Sequence, residues 1–288
     1  MSVTYVDGVQ SPELARLQAV LTDMLARLLA YCEAHGIPIF LIGGTALGAL
    51  RDGGMIPWDD DIDLALLRED YERLMDLLER EPIEGMTLQH WRTEPRYHYP
   101  YAKLRLDGTS AGELDFKGGG MHEGLFLDIF PYDRLPASES ARAWQRRLLG
   151  LLNYVILPPA LDVHFREKPL ADRVLRAIGR GARRLFPLRW FVRLREHIQQ
   201  PRSGPMSGEF DSFGMLGISQ WRKKVLREED FFPLRPVRFG PLEARIPANC
   251  ERFCELHYGP EWGQPPPVHQ RKPAHVGTIV LPDETARS

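Results

Sequence analysis

The sequence predicts an α+β fold. Two observations carry this prediction: helical and strand patterns alternate over residues 1–135 and then run to strands, whereas residues 136–288 are mostly helical and irregular, with many prolines. The 288 residues, 43% of them hydrophobic, are enough for one large domain or two small ones with a real core. We expect a soft boundary near Pro136, across which the two parts can share one core.

The individual elements follow from local patterns. The first helix is expected to begin after Ser11, a good capping residue, and to stop at Gly36. Apolar residues at helical spacing predict helices over residues 12–36, 45–53, 68–80 and 138–157. Apolar or alternating runs predict strands over residues 37–44, 61–67, 86–91, 97–108 and 124–136, with a hairpin turn at Asp107-Gly108.

Composition limits the class of protein. The formal net charge is −2, so the bulk balance gives no reason to expect a nucleic acid partner. Three cysteines form no disulfide framework and are typical of reduced thiols in a cytoplasmic protein. The N-terminus lacks the basic and apolar regions of a signal peptide, and no apolar run approaches the roughly 20 residues of a membrane span.

A run of aspartates between apolar residues is the strongest local signal. Asp59, Asp60, Asp61 and Asp63 lie between an apolar "MIPW" and an apolar "LAL". In an extended strand Asp61 and Asp63 share one face, with Ile62 turned the other way. Two such carboxylates repel unless a cation lies between them, and hard oxygen ligands suit Mg²⁺ or Mn²⁺. An acidic loop that caps the following helix is the simpler alternative.

Two further features add to this signal. Gly43 and Gly44 stand upstream where a strand meets a helix, so the backbone there can approach a phosphate closely. Asp128 lies inside the apolar strand "GLFLDIFPYD", where an unpaired charge is rarely tolerated. Asp128 is therefore expected either in a buried salt bridge to an Arg or, if its strand adjoins that of Asp61, in a three-carboxylate metal site.

These residues resemble the LicD family. "GGTALGALRDGGMIPWDDDIDLALLREDYERL" is similar to its signature, "GLFLDIFPYDRLP" resembles its second block and "FCELHYGPEWGQPPP" its C-terminal block. The resemblance runs from about residue 37 to 267 and leaves 138–222 unaligned. It implies a nucleotidyltransferase fold like that of DNA polymerase β, with residues 1–135 as the catalytic core and residues 136–288 completing the LicD-like domain.

The resemblance also implies roles for particular residues. It maps Gly43, Gly44 and Thr45 to a phosphate-binding turn, and Asp61 and Asp63 to metal ligands. It places the third carboxylate of the fold class, and of the metal site, at Asp128. The implied metal is Mg²⁺ or Mn²⁺. The roles of Asp59 and Asp60 stay open.

The implied activity is that of LicD-like proteins, fukutin and fukutin-related protein. They are thought to move a phosphorylated alcohol, phosphocholine or ribitol phosphate, from a CDP-linked donor to a hydroxyl of a glycan or glycolipid. A carboxylate, for which Asp128 is the candidate, would help to remove the hydroxyl proton, and CMP would leave. A nucleotidyltransferase that passes an NMP group to a small molecule would need the same site. A non-catalytic scaffold is the third alternative.

Four side chains near the motifs are predicted to bind substrate. Lys103 and Arg105 share one strand face and suit phosphate oxygens, although an exposed strand face gives the same pattern. Arg51 can reach the phosphates or pair with Asp59. Trp58 can stack on a base or on choline, or belong to the core.

Two other segments have open interpretations. Tyr97, Tyr99 and Tyr101 alternate along the chain, which suits either a quaternary ammonium group or a plain hydrophobic face. Arg271 and His275 lie beyond the last prolines, where they can close over a nucleotide or belong to a solvated tail.

The segment 166–202 is strongly basic, with eleven Lys or Arg against three Asp or Glu. Its arginines alternate with Leu, Phe and Trp, a pattern typical of a helix on an anionic membrane surface. We therefore expect a cytoplasmic protein with peripheral membrane contact through this segment. Nucleic acid contact and a solvated helix face give the same pattern. Pro187 and the glycines are expected to interrupt a long helix.

Overall fold

A computed structural model describes residues 3–6, 8–112, 120–157, 170–200, 205–211 and 225–281. The helices in these ranges are α1 Pro12–Ala34, α2 Gly43–Arg51, α3 Arg68–Arg80, α4 Glu139–Ile156, α5 Leu170–Leu185, α6 Leu188–Gln199, α7 Glu228–Phe231 and α8 Cys250–Tyr258. The strands are β1 Tyr5–Val6, β2 Val9–Gln10, β3 Phe40–Leu41, β4 Asp63–Leu67, β5 Met86–Gln89, β6 Ala102–Leu106, β7 Phe126–Pro136, β8 Met206–Asp211, β9 Leu226–Arg227, β10 Arg235–Phe239 and β11 Leu242–Ile246.

The central sheet is mixed, as the α+β prediction requires. Its main path is β3-β4-β7-β6-β5; β8 pairs with the end of β7, and β9 pairs with β8. β4 and β7 are parallel, whereas the other neighbours are antiparallel. Parallel β4 and β7 begin at the same edge of the sheet, so residues at their first positions lie side by side.

The first helix has the predicted signals. The Ser11 hydroxyl accepts a hydrogen bond from the Leu14 N–H at 3.1 Å, and Pro12 occupies the first turn. Gly36 follows the helix with a φ of 64°, a left-handed conformation that glycine adopts readily. The buried side is built from Leu14, Leu21 and their helical neighbours, which pack into the main core. This helix is therefore confirmed.

Several predicted strands are shorter than expected. The run 37–44 contributes only Phe40–Leu41, because α2 already begins at Gly43. The predicted strand 97–108 is wrong for residues 97–101, and β6 begins at Ala102. Pro100 lacks an N–H group, so the chain cannot continue a ladder through it. The hairpin β10–β11 and the pair β8–β9 were not predicted at all.

The largest buried cluster includes side chains from Val3 to Ile279 and therefore from both sides of Pro136. Cys32, Cys250 and Cys254 are buried, free thiols. As expected, α5 ends and α6 begins around Pro187. The expectation for the glycines was wrong, because α5 continues through Gly179 and Gly181. Among the described residues, no helix is both long and apolar enough to span a bilayer.

Candidate active site

The beginnings of β4 and β7 bring carboxylates together. Asp63 and Asp128 are paired residues in the parallel ladder, and Asp61 precedes β4 by two positions. One oxygen from each of Asp61, Asp63 and Asp128 lies within 4.8 Å of the others. The structure thus groups the three acids that the sequence predicted as metal ligands.

The start of β4 is held rigidly from both sides. Ile62 and Leu64 are completely buried, so the intervening Asp63 cannot rotate into the core. The Asp63 N–H donates to the Thr45 hydroxyl at 2.8 Å. Thr45, predicted to belong to a phosphate-binding turn, therefore fixes the backbone of a site carboxylate.

The two glycines at the beginning of α2 leave room for acids. A Cβ on Gly43 would collide with the carboxylate of Asp63, and one on Gly44 would lie 2.7 Å from an oxygen of Asp59. Gly43 also has a φ of 58°, which side-chain-bearing residues rarely adopt. The first turn of α2, with its unpaired N–H groups, thus borders the carboxylate cluster directly.

Asp60 binds the C-terminal segment. Its buried carboxylate accepts hydrogen bonds from the N–H groups of Ala274 at 3.1 Å, His275 at 3.0 Å and Val276 at 2.6 Å. Three donors on one carboxylate compensate much of its charge. Asp60, whose role the sequence left open, is therefore an anchor for a segment more than 200 residues further on.

The anchored segment carries His275 to the site. Its ring Nε2 lies 3.2 Å from an oxygen of Asp61. Asp60, Asp61 and His275 form a second group able to hold a metal, which shares Asp61 with the first group. His275 was a candidate for closing over the nucleotide, and in the structure it covers one side of the carboxylate cluster.

The carboxylates of the cluster repel one another. Burial, followed by the charges of Asp61, Asp128 and Asp59, raises the pKa of Asp63 well above its ordinary value. Burial, followed by the charges of Asp61 and Asp60, does the same to the pKa of Asp59. Burial alone would lower the pKa of His275. The charges of Asp61, Asp60 and Asp128 outweigh this effect, so the pKa of His275 is raised. The site therefore favours an added positive charge.

Lys103 is the basic residue that the structure brings to the cluster. It lies opposite Asp128 in the β6–β7 ladder, and its Nζ is 2.8 Å from an Asp128 oxygen. Its ammonium also lies 3.4 Å from the centre of the Phe126 ring. Asp128 thus joins the carboxylate group and also forms a buried salt bridge, whose partner is Lys103 and not the Arg suggested by the sequence.

Arg105 and Arg51 have partners outside the carboxylate cluster. Arg105 is buried and donates to Gln89 Oε1 and to the Gly124 carbonyl, both at 2.7 Å. Arg51, at the far end of α2, pairs with Asp52 at 2.8 Å instead of Asp59. Their predicted substrate contacts stay predictions.

Trp58 lies between two guanidinium groups. Arg51 is 5.4 Å and Arg271 is 5.1 Å from the centre of its ring, and Tyr5 packs on it at 5.6 Å. The half-buried ring is part of the wall that leads to the aspartates. Arg271, like His275, belongs to the C-terminal segment and reaches back to this wall.

Tyr258 is a residue that the sequence analysis did not select as a site residue. Its side chain is 46% exposed. Partial burial, followed by the charges of Asp63 and Asp59, raises the pKa of its phenol well above the ordinary value. Tyr258 ends α8, whose N-terminus is capped by Asn249 and which packs against α2. Its Tyr-Gly pair was a family-like signal.

The aromatic row 97–101 packs inside the protein. Tyr97, Tyr99 and Tyr101 are all buried and contact one another at centroid distances of 5.7 and 5.2 Å. The Lys103 ammonium is 5.7 Å from the rings of Tyr99 and Tyr101. The hydrophobic interpretation is confirmed, and the cation near these rings is a residue of the protein itself.

The donor set fits a divalent cation. Three carboxylates with converging oxygens offer only hard ligands, which Mg²⁺ and Mn²⁺ prefer. Burial and the neighbouring acids raise the pKa of Asp63 despite the opposing charge of Lys103. Acidic groups able to bind a metal are therefore present at the predicted position.

A mixed sheet that presents carboxylates from neighbouring strands beside a glycine-started helix defines a nucleotidyltransferase-like fold. Residues 36–145 match the protein family described as LicD/FKTN/FKRP, nucleotidyltransferase domain. The matched stretch contains Asp61, Asp63 and Asp128.

Individual relatives are consistent with this family match. The chain is 24% identical over 269 residues to the lipopolysaccharide cholinephosphotransferase LicD of Haemophilus influenzae, covering 90% of the chain and 94% of that protein. It is 53% identical over 38 residues to the ribitol 5-phosphate transferase FKRP of Homo sapiens, covering 13% of the chain and 8% of FKRP. A 120-residue stretch is 27% identical to mannosyltransferase regulator 4 of Saccharomyces cerevisiae, covering 39% of the chain and 10% of that protein.

Proposed function

We propose that this protein is a metal-dependent phosphotransferase that moves a phosphorylated alcohol from a CDP-linked donor to a glycan hydroxyl. The grouping of Asp61, Asp63 and Asp128 carries the proposal, because three converging carboxylates, two of them buried, would only destabilise the fold without a bound cation. Similarity along 90% of the chain to a cholinephosphotransferase supports the transferred group. Phosphocholine and ribitol phosphate are the proposed classes.

Asp61, Asp63 and Asp128 would hold Mg²⁺ or Mn²⁺. When bound, such an ion neutralises phosphate charge and polarises a phosphoryl oxygen. Asp60 is excluded from this set in our proposal, because its oxygens already accept three backbone N–H groups.

The donor pyrophosphate would bind between cationic and dipolar groups of the chain. Lys103 supplies a charge at one side of the cluster and His275 at another. The N–H groups of Gly43, Gly44 and Thr45 at the beginning of α2 would bind phosphate oxygens, which helix N-termini favour. Trp58 would stack on the base or the alcohol at the edge of the site.

The reaction balances as a phosphoryl transfer. The acceptor oxygen forms a bond to the phosphorus next to the alcohol, and the bond from that phosphorus to the bridging oxygen breaks. CMP leaves with the electron pair, and the hydroxyl proton passes to a carboxylate, for which Asp128 is the candidate. Positioning and cationic groups supply most of the transition-state stabilisation in such reactions.

We also propose a cytoplasmic location with peripheral membrane contact through residues 166–202, of which 170–199 lie in described helices. The basic composition of the segment supports this contact. A glycan on a lipid carrier would be an acceptor of the kind named for the Haemophilus relative, which acts on lipopolysaccharide.

Calorimetric titration of four nucleotides tests the donor. CDP-choline, CDP-ribitol, CTP and ATP are added with Mg²⁺ and again with EDTA, to the wild type, to Asp61→Asn and to Asp23→Asn. Asp23 is an exposed acid on α1 and serves as the matched control. We expect metal-dependent binding of a CDP-alcohol that Asp61→Asn loses and Asp23→Asn keeps. Binding of CTP or ATP alone would replace the proposal by NMP transfer, and no binding would contradict both.

A further inference from the structure

The apolar side of α5 faces outward. Leu170, Val174 and Ile178 recur every four residues and therefore form one stripe along the helix. Leu170 is 72% and Ile178 63% exposed. The opposite side of α5 is the packed one: Arg176 and Gly179 are buried, and Gly179 touches the backbone of Tyr154 on α4.

The same arrangement continues into α6. Leu185 is 78% exposed, and Phe186 stacks on Trp190 with ring centroids 5.6 Å apart. Trp190 and Leu194 are four residues apart on the exposed side of α6, whereas Val192 and Arg195 are buried on the other. Phe186 thus joins the two stripes into one apolar surface. Hereafter, the apolar stripe comprises residues 170–194 of this exposed side.

Arginines accompany the apolar stripe. The helices α5 and α6 contain eight arginines and only two acidic residues. Arg173, Arg180 and Arg184 are exposed on α5, and Arg189 and Arg193 are exposed on α6. Exposed apolar patches of this size on monomers usually mark interaction sites.

We infer that the apolar stripe is the surface by which this protein lies on a bilayer rich in anionic lipid. Its Leu, Ile, Phe and Trp side chains would enter the interface, and the flanking arginines would contact lipid phosphates. The inference deepens the peripheral contact proposed above, on which it rests, by naming the lipid class and the inserted residues.

A second copy of the chain is the less suitable occupant. Two identical surfaces would bring the arginines of one against those of the other, with few acids to compensate them. Anionic head groups complement this charge, and long arginine side chains can reach them while their stems cover apolar surface. Charge complementarity therefore selects the bilayer.

Vesicle sedimentation tests the inference with the full chain. We expect binding to phosphatidylcholine vesicles that contain phosphatidylglycerol, little binding to pure phosphatidylcholine, and weakening as salt increases. Ile178→Asn combined with Trp190→Ser should weaken partitioning at least tenfold. Arg173→Gln and Arg184→Gln should each weaken it about fivefold.

Matched controls distinguish binding through the apolar stripe from nonspecific adsorption to vesicles. Val9→Asn removes an exposed valine on β2, and Arg80→Gln removes an exposed arginine on α3; neither should change partitioning. Thermal melts of all variants check folding. Equal binding to both lipid mixtures, no binding to either, or self-association that Ile178→Asn abolishes would each overturn the inference.

The outcome can be distinguished from that of the proposed function. Ile178→Asn/Trp190→Ser should keep the wild-type affinity for the CDP-alcohol in solution, because both residues lie outside the proposed site. Failure of the wild type to bind any of the nucleotides would count against the proposed transferase activity. Loss of vesicle binding with intact nucleotide affinity would count against the membrane surface alone.

Discussion

The carboxylate of Asp60 accepts the backbone N–H of His275, a residue 215 positions further along the chain. This bond, with those from Ala274 and Val276, holds the C-terminal segment against the aspartate run. His275 then reaches Asp61. One aspartate of the run thus anchors a segment beside the site, while Asp61 and Asp63 belong to a group that could hold a metal.

Replacing Asp60 by Asn should loosen this wall. The Asn side chain offers one oxygen where the carboxylate offers two, and its NH₂ group opposes the backbone donors. Charge-assisted hydrogen bonds are typically about 1.5–3 kcal/mol each. We expect faster hydrogen exchange at residues 274–276 and kcat/KM lowered by about tenfold or more. Asp23→Asn is the control. Unchanged exchange at 274–276 would show that Asp60 does not anchor the segment.

Replacing Asp63 by Asn should stabilise the metal-free protein and abolish its response to metal. The pKa of Asp63 is raised, so its ionised form costs folding free energy, and stability falls as pH rises above the ordinary value of 3.8. Removing the charge at pH 7 should raise Tm by about 2–4 °C.

Metal binding should stabilise the wild type, whose ionised Asp63 destabilises the metal-free fold. Mn²⁺ at a hundred times its Kd stabilises a folded protein by about 2.7 kcal/mol. We expect this gain for the wild type and for Asp23→Asn, but not for Asp63→Asn. Differential scanning calorimetry with and without Mn²⁺ measures both effects. If Asp63→Asn had a lower Tm than the wild type and Mn²⁺ still raised that Tm, both expectations would be wrong.

Arg105 and Lys103 should behave differently although they share a strand. Arg105→Met leaves the acceptors of Gln89 and Gly124 buried without their donor, which costs about 1–3 kcal/mol each. We expect a lower Tm with an unchanged KM for the donor.

Lys103→Met removes the cation 2.8 Å from Asp128. We expect the donor KM to rise by tenfold or more, because a phosphate contact is lost together with a charge next to the carboxylates. Steady-state kinetics and thermal melts on both variants provide the comparison. A donor KM that rises for Arg105→Met would support the substrate-binding role predicted for Arg105 from the sequence.

Glu196 on α6 should give the fold a measurable acid dependence. Burial alone would raise its pKa, but His90, 3.6 Å away, and Arg68, 4.0 Å away, lower it below the ordinary 4.5. A depressed pKa contributes stability above the unfolded value that is lost as pH falls through the folded one.

The comparison is between wild type and Glu196→Gln. Their difference in unfolding free energy should be roughly 1 kcal/mol above about pH 5 and should shrink as pH falls below 4.5. Urea unfolding at several pH values measures it, with the exposed Glu79→Gln as control. A difference that grows on acidification would mean that Glu196 is not stabilised as an anion.

Much of the fold could be predicted because its signals are local. Ser11 and Gly36 mark both ends of α1, and the period of the apolar residues gives α3. The strands β8 and β9 show little alternation, so nothing local distinguishes them from loops. In β11, by contrast, Leu242, Ala244 and Ile246 alternate with polar residues, a local signal that the sequence analysis missed. Pro100 ended a predicted strand that the alternation of tyrosines had favoured.

The site was predictable only in part for a similar reason. Asp61 and Asp63 are close in sequence, and Asp128 is conspicuous among apolar neighbours. Alternation placed Lys103 and Arg105 on one face of β6, but all of β6 is buried, so the pattern could not tell which partner each would have. The contacts of Asp60, His275 and Tyr258 depend on how the C-terminal region returns to the sheet.

The fit between the glycines of α2 and the carboxylates limits how this site can evolve. The Asp63 side chain occupies the place of a Cβ on Gly43, and Asp59 that on Gly44. A change at either glycine displaces an acid, and a larger acid at either aspartate meets the helix backbone. These positions are therefore epistatic: their substitutions should be strongly non-additive in a double-mutant cycle, and acceptable changes must arise in pairs.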